Sequence, residues 1–102
     1  MSSITPVERR SISRYITTYM DYPQTGIVFR DISPLLGRPV ERKLAFDGIT
    51  DLVRNLKIDK IVGLDARGFI IGMAIAERLE KPFVMIRKGG KIPGEKITIS
   101  YG

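Results

Sequence analysis

Residues 60–86 constrain the fold more than any other stretch. An apolar run, K-I-V-G-L, breaks at the polar turn D-A-R-G, and a second apolar run, P-F-V-M-I, follows a helical pattern. Parallel strands need a crossover of about a dozen residues or more, and such crossovers are right-handed. Strand, helix and strand at this spacing therefore predict a βαβ unit. The run Ile61-Val62-Gly63-Leu64 lacks alternation, which predicts burial on both faces. The helix is expected over 68–79, with Phe69, Ile70, Met73, Ala74 and Ile75 mostly inward. In open α/β sheets ligands bind outside the carboxyl ends of the strands. The turn at 65–68 and the segment after Ile86 should both emerge there.

The rest of the chain supplies helices and a turn. Thr5-Pro6-Val7-Glu8 has the form of a helix start, with Thr5 as N-cap, Pro6 at the first helical position and Glu8 closing a capping box. Ile12, Tyr15, Ile16, Tyr19 and Met20 then mark one face, which predicts a helix running to just before Tyr22-Pro23. Residues 22–26 are a turn cluster, and residues 27–32 read as a short strand or extended segment ended by Ser33-Pro34. Residues 35–39 read as another break. Residues 41–55 are expected to be helical, with Ala45, Ile49, Leu52, Val53 and Leu56 as the buried stripe. Residues 87–96 hold three glycines and a proline and read as a mobile loop, and the alternation at 97–101 reads as the start of a strand.

Composition removes several chemistries. The chain has neither cysteine nor histidine, so thiol nucleophiles, imidazole bases and His- or Cys-ligated metals are excluded. At 102 residues one domain is the expectation, and no apolar run nears the roughly 18 residues of a membrane helix. The first ten residues lack the basic and apolar regions of a signal peptide, which makes the cytosol the default. The net charge of +6 suits a solvated surface, a nucleic acid or a phosphorylated small molecule.

Three segments are candidates for binding. Asp65-Ala66-Arg67-Gly68 at a helix N-terminus can receive an anion; an ordinary βα turn, with Asp65 capping the helix and Arg67 solvated, accounts for the same spacing. Arg87, Lys88 and Lys91 place three cations in a Gly-rich loop, which is otherwise a solvated basic loop. No aromatic residue interleaves them, so base stacking on nucleic acid has little support. Val28-Phe29-Arg30 can hold a flat heterocycle, stacked on Phe29 and paired with backbone groups; the alternative is an edge strand that packs Phe29 into the core.

Taken together and in order, Y-P-Q-T-G-I-V-F-R-D-I-S-P-L-L, I-V-G-L-D-A-R-G-F-I-I-G and F-V-M-I-R-K-G-G-K-I-P-G-E resemble the adenine phosphoribosyltransferases, within the type I phosphoribosyltransferase group. The similarity runs over residues 22–101. It implies an α/β, Rossmann-like fold, a parallel sheet with flanking helices, here incomplete at roughly three helices and three to four strands. It implies transfer of a phosphoribosyl group from 5-phosphoribosyl 1-pyrophosphate to adenine, giving AMP and diphosphate. By the same resemblance Val28, Phe29 and Arg30 bind adenine. Asp65, Ala66, Arg67, Gly68, Arg87, Lys88 and Lys91 bind pyrophosphate, and the peptide between Asp65 and Ala66 is often cis in relatives. The glycine-rich segment matches a lid. Mg2+ arrives on the diphosphate with no protein metal site, and the partners are small molecules and a second subunit, with no nucleic acid and no membrane.

The sequence departs from that family in two respects. The family's phosphoribosyl-binding motif, two adjacent acids followed by a Thr/Gly-rich loop, is not among these 102 residues. The lid glutamate, which follows Ser-Tyr in relatives, is expected beyond Gly102. No catalytic residue is therefore visible. The expectation is that residues 1–102 are the N-terminal part of a single phosphoribosyltransferase domain and inactive alone. The alternatives are a short inactive protein, or a non-catalytic module that binds nucleotides or phosphoribosyl pyrophosphate. The adenine-type segment and the lack of a helix-turn-helix ahead of it speak against a regulator of the latter kind.

Overall fold

The first helix begins as its capping residues dictate and ends much earlier than its apolar spacing predicts. In the computed structural model, which describes residues 4–87, the Thr5 hydroxyl accepts the Glu8 N–H at 3.1 Å and the Glu8 carboxylate accepts the Thr5 N–H at 3.0 Å. With Pro6 in the first turn, this starts α1, Pro6–Ser13. The expected continuation to Met20 is wrong: Thr17–Met20 is a strand, β1. Two tight turns, Tyr15 N–H to Ile12 O and Ile16 N–H to Ser13 O, lead the chain out of the helix. The β-branched and aromatic Thr17, Thr18 and Tyr19 then suit a pleated ladder better than a helix. β1 pairs antiparallel with β2, Val28–Asp31, in the register Thr17 with Asp31 through Met20 with Val28.

The structure divides into two compact units after Asn55. The first is completed by two helices. The Asp31 carboxylate accepts the Ser33 N–H at 2.9 Å, and α2, Ser33–Leu36, is a single helical turn where the sequence reads as a break. α3, Pro39–Val53, starts two residues ahead of expectation, with proline in its first turn. Arg38 bridges into that turn through Glu41 at 3.0 Å and lies 4.6 Å from the Tyr15 ring centroid. The hydrogen bond to Glu41 holds its guanidinium pKa above the ordinary arginine value. The buried side of α3 is rotated from the expected stripe. Ala45, Phe46, Gly48 and Thr50 are buried, whereas Ile49 and Leu56 are exposed and Leu52 is 55% exposed. Thr50 is tolerated inside because its hydroxyl donates to Phe46 O at 2.8 Å.

The second unit is the expected βαβ: β3, Ile61–Leu64, and β4, Phe83–Ile86, run parallel, in the register Ile61 with Phe83 through Leu64 with Ile86. α4, Arg67–Leu79, lies between them in sequence and ends on Glu80 in the left-handed region at φ 55°. Its buried positions are Gly72, Ile75 and Ala76 rather than Ile70 and Met73, which are exposed. The glycine at 72 lies against the Phe83 ring. A Cβ on Gly72 would sit 2.6 Å from Phe83 Cε1, and one on Gly63 would sit 2.5 Å from Gly68 O and 2.6 Å from Phe83 Cζ. The ring thus fills the space that side chains at Gly63 and Gly72 would take. Burial of β3 on both faces is not found: Gly63 is buried, while Val62 is exposed and Leu64 is 63% exposed. The described residues make four helices and four strands in two two-stranded sheets. The loop and strand expected after Arg87, up to Gly102, lie outside them.

This packing makes a graded prediction. Gly63→Ala should lower stability by about 1–3 kcal/mol or more, because the obstacle is partly backbone. Gly72→Ala should cost less, since the ring it meets can shift, and Phe83→Leu should lessen its cost while leaving most of the cost of Gly63→Ala. Urea unfolding midpoints of the single and double variants check this; an unchanged midpoint for Gly63→Ala contradicts the close approach.

Candidate functional site

The second unit gathers its chemistry at the carboxyl edge of the parallel pair. The Asp65 N–H donates to Ile86 O at 3.1 Å, which extends the ladder by one bond and brings the ends of β3 and β4 side by side. Asp65 is half-buried, Ala66 and Arg67 are exposed, and the Asp65–Ala66 peptide is cis. Asp65 is not the helix cap: Ala66 occupies the N-cap position and no side chain caps the helix there. The first N–H groups of a helix have no intrahelical partner, and they carry the positive end of its dipole. Here that end belongs to a helix of 13 residues starting at Arg67.

Arg87 leaves β4 beside this turn. Its guanidinium carbon lies 5.8 Å from the centroid of the Phe69 ring, and Phe69 in turn meets Phe83 edge-on at 6.5 Å. Two cations and a helix N-terminus are therefore brought to one edge, an arrangement that favours a polyanion. Asp65, Ala66, Arg67, Gly68 and Arg87 stand together as expected. Lys88 and Lys91 lie outside the described residues, and so does Gly102, beyond which the lid glutamate is expected. The part played by Phe69 is legible only in the structure, since a phenylalanine next to a ligand turn reads in sequence as core.

In the first unit the candidate residues sit on β2. Val28 and Arg30 are exposed and Phe29 is half-buried. Phe29 does not enter the core as an edge-strand residue would. It packs on two tyrosines, with ring centroids 6.5 Å from Tyr19, its cross-strand partner, and 5.4 Å from Tyr22. Tyr19, Tyr22, Phe29 and Asp31 line an open depression of about 310 Å³. Residues two apart on a strand turn their backbone groups to the same side, so Val28 and Arg30 present theirs to one edge. Among the described residues β2 pairs only with β1. The two tyrosines escape the sequence reading because Tyr19 falls on the helical spacing. The usable signal was the hairpin, a turn cluster centred between Tyr19 and Phe29.

No family model matches the chain. The chain is 47% identical over 92 residues to an adenine phosphoribosyltransferase of Roseobacter denitrificans, covering 90% of this chain and 52% of that protein. A second, from Rhizobium johnstonii, is 49% identical over 86 residues, covering 84% and 48%. Among solved structures, the adenine phosphoribosyltransferase of Thermoanaerobacter pseudethanolicus superposes with a TM-score of 0.86 at 33% identity, over 91% of this chain and 55% of that one. The Giardia lamblia enzyme complexed with 9-deazaadenine gives a TM-score of 0.76 at 36% identity, over 84% and 48%. The chain spans about half the length of the curated relatives it matches. The resemblance to this family extends through both sequence and fold, and the architecture is part of a type I phosphoribosyltransferase fold.

The anion edge carries its own test. Inorganic diphosphate should bind the chain with an affinity that falls between about 50 and 200 mM salt, as screening of exposed charges requires. Arg67→Gln and Arg87→Gln should each weaken it by about two- to fivefold, the order of one exposed, solvent-screened ion pair. Calorimetric titration reads both effects, with Arg9→Gln on α1 as the control that leaves binding unchanged.

Proposed function

We propose, for a chain that shares sequence and fold with the adenine phosphoribosyltransferases, that the protein it represents transfers a phosphoribosyl group from 5-phosphoribosyl 1-pyrophosphate to adenine. The observation that carries this reading is the 47% identity over nine-tenths of the chain to a protein of that name. In the reaction the bond from ribose C1 to the diphosphate oxygen breaks and a bond from C1 to adenine N9 forms. The N9 proton is lost, and the products are AMP and diphosphate. Positive charge grows on the ribose while negative charge grows on the leaving diphosphate, so preorganised donors at the diphosphate lower the barrier.

In this reading the first turn of α4, with Arg67 and Gly68 after Asp65 and Ala66, receives the diphosphate. Arg87 adds charge, joined by Lys88 and Lys91. Adenine stacks on Phe29, and its edge pairs with backbone groups of Val28 and Arg30. The Giardia relative's complex with 9-deazaadenine supports this choice of base. Mg2+ enters as part of the diphosphate substrate; among the described residues no group of three His, Cys, Asp or Glu side chains gathers. Residues 1–102 act as the N-terminal part of one phosphoribosyltransferase domain. The phosphoribosyl-binding motif is not among them, and the lid glutamate belongs beyond Gly102, so no residue here is assigned the catalytic role. The same reading places the protein in the cytoplasm as a homodimer, with neither nucleic acid nor membrane as partner. Among the described residues no helix is long and apolar enough to cross a membrane.

The test has two arms. The 102-residue chain should bind adenine more tightly than hypoxanthine and form no measurable AMP, and Phe29→Ala should weaken adenine binding by about two- to tenfold, the order of one aromatic stack. A protein of the relatives' length that carries these residues should form AMP from adenine, phosphoribosyl pyrophosphate and Mg2+. Absence of AMP there overturns the reading. Tight binding of phosphoribosyl pyrophosphate without preference for adenine points instead to a non-catalytic binding module.

A further inference from the structure

The strand that carries Phe29 is preceded by a turn closed by a side chain. Asp21 stands in the left-handed region at φ 56°, and its Oδ1 accepts the Gly26 N–H at 2.8 Å. Beside that clasp the Tyr22 N–H donates to Ile27 O at 3.1 Å, and the Ile27 N–H donates to Gln24 O at 3.2 Å. The backbone of Tyr22 is thereby tied to the residue just ahead of β2. Its ring meets Phe29 edge-on, at 5.4 Å and 64°. Tyr19, opposite Phe29 on β1, completes a mutual cluster at 6.5 Å from Phe29 and 6.4 Å from Tyr22.

Burial does not account for the tyrosines. Tyr19 is 49% and Tyr22 56% exposed, while Phe29 between them is half-buried. A ring left half in water contributes little to a core. A ring set edge-to-face against another restricts the side-chain rotamers that its neighbour can adopt. A platform ordered before its ligand arrives binds more tightly, because the ordering entropy is not spent at binding.

We infer that Tyr22 is a positioning residue for the base: it acts through Phe29, holding that ring in the attitude at which a flat heterocycle stacks, and the Asp21–Gly26 clasp holds Tyr22 in turn. This rests on the reading of Phe29 as the base platform. It adds the residues that set the platform, none of which touches the reacting atoms.

The experiment is a double-mutant cycle on the 102-residue chain, read by adenine titration, together with three-bond couplings that report the Phe29 χ1 rotamer without ligand. Tyr22→Ala should weaken adenine binding by about two- to tenfold when Phe29 is present. In the Phe29→Ala background it should change binding by less than about twofold. Tyr22→Phe, which keeps the ring and loses the hydroxyl, should restore both binding and a single Phe29 rotamer. In Tyr22→Ala the couplings should average over rotamers, while melting shows the chain still folded. Equal losses in both backgrounds overturn the inference, as does a Phe29 rotamer unmoved by Tyr22→Ala. If the unaltered chain binds no adenine, the proposed function fails instead, and the ligand-free couplings alone decide the role of Tyr22.

Discussion

The approach of α4 onto β3 at Gly63 determines where the chemistry of the second unit stands. With no side chain at Gly63, the Gly68 carbonyl comes within a distance that a Cβ could not share, and the Phe83 ring fills the space between Gly63 and Gly72. α4 starts at Arg67, three residues past the end of β3 at Leu64, so its first turn follows directly on that strand. The Asp65 N–H to Ile86 O bond then sets the end of β4 alongside. Arg87 is the next residue, and its place near the helix N-terminus follows from that one bond and the parallel register. Close packing between glycines and one ring, which has no chemistry of its own, thus lies directly behind the described part of this edge.

How Arg87 is held bears on what the edge can do. Among the described residues its partner is the Phe69 ring face rather than a carboxylate. A salt bridge would restrain the side chain at the expense of its charge, since a neighbouring carboxylate cancels most of the field an incoming anion feels. A ring face restrains the guanidinium through the ring quadrupole, worth about 0.5–1 kcal/mol where exposed. Among the described residues it leaves the net positive charge and several N–H donors available. An arginine placed in this way suits an incoming anion better than one paired with a carboxylate does.

Legibility in the sequence followed how many independent signals each element carried. The βαβ unit had two apolar runs, a helical period and turn residues, and the strand–helix–strand order they predict is the one found, although the buried faces of α4 and β3 are not those expected. The first helix start had a capping box and a proline, and both are realised. β1 was lost because Tyr15, Ile16, Tyr19 and Met20 satisfy a helical spacing, while the strand signal rests on Thr17, Thr18 and Tyr19 in only four residues. Pairing with β2 decided it, and pairing is non-local. α2 is a single turn opened by the Asp31 carboxylate, too short for any period to show. On α3 the polar Thr50 was left off the buried face, yet it is fully buried because its hydroxyl returns to the backbone. The site divided in the same way: residues 65–68 and 28–30 were visible as local motifs. Tyr19, Tyr22 and Phe69, which pack against the candidate groups, depend on which residues a hairpin or a packed helix brings together.

The two units also meet their candidate ligands by different physics. At the β3–β4 edge the contributions are long-ranged and unspecific in shape: a helix dipole and two guanidinium groups attract any compact polyanion, and salt weakens them. On β2 they are short-ranged and specific. In the proposed site a ring would accept a flat partner, and backbone groups of Val28 and Arg30 would demand a fixed donor and acceptor order. Shape and hydrogen-bond order discriminate between bases, because a base with the wrong edge leaves backbone groups unpaired, at about 1–3 kcal/mol for each such group when buried. Charge cannot discriminate in that way. If Phe29 is the base platform, as proposed, selection among heterocycles depends on how well that ring is fixed, and the neighbouring hairpin turn supplies the contact to it through Tyr22.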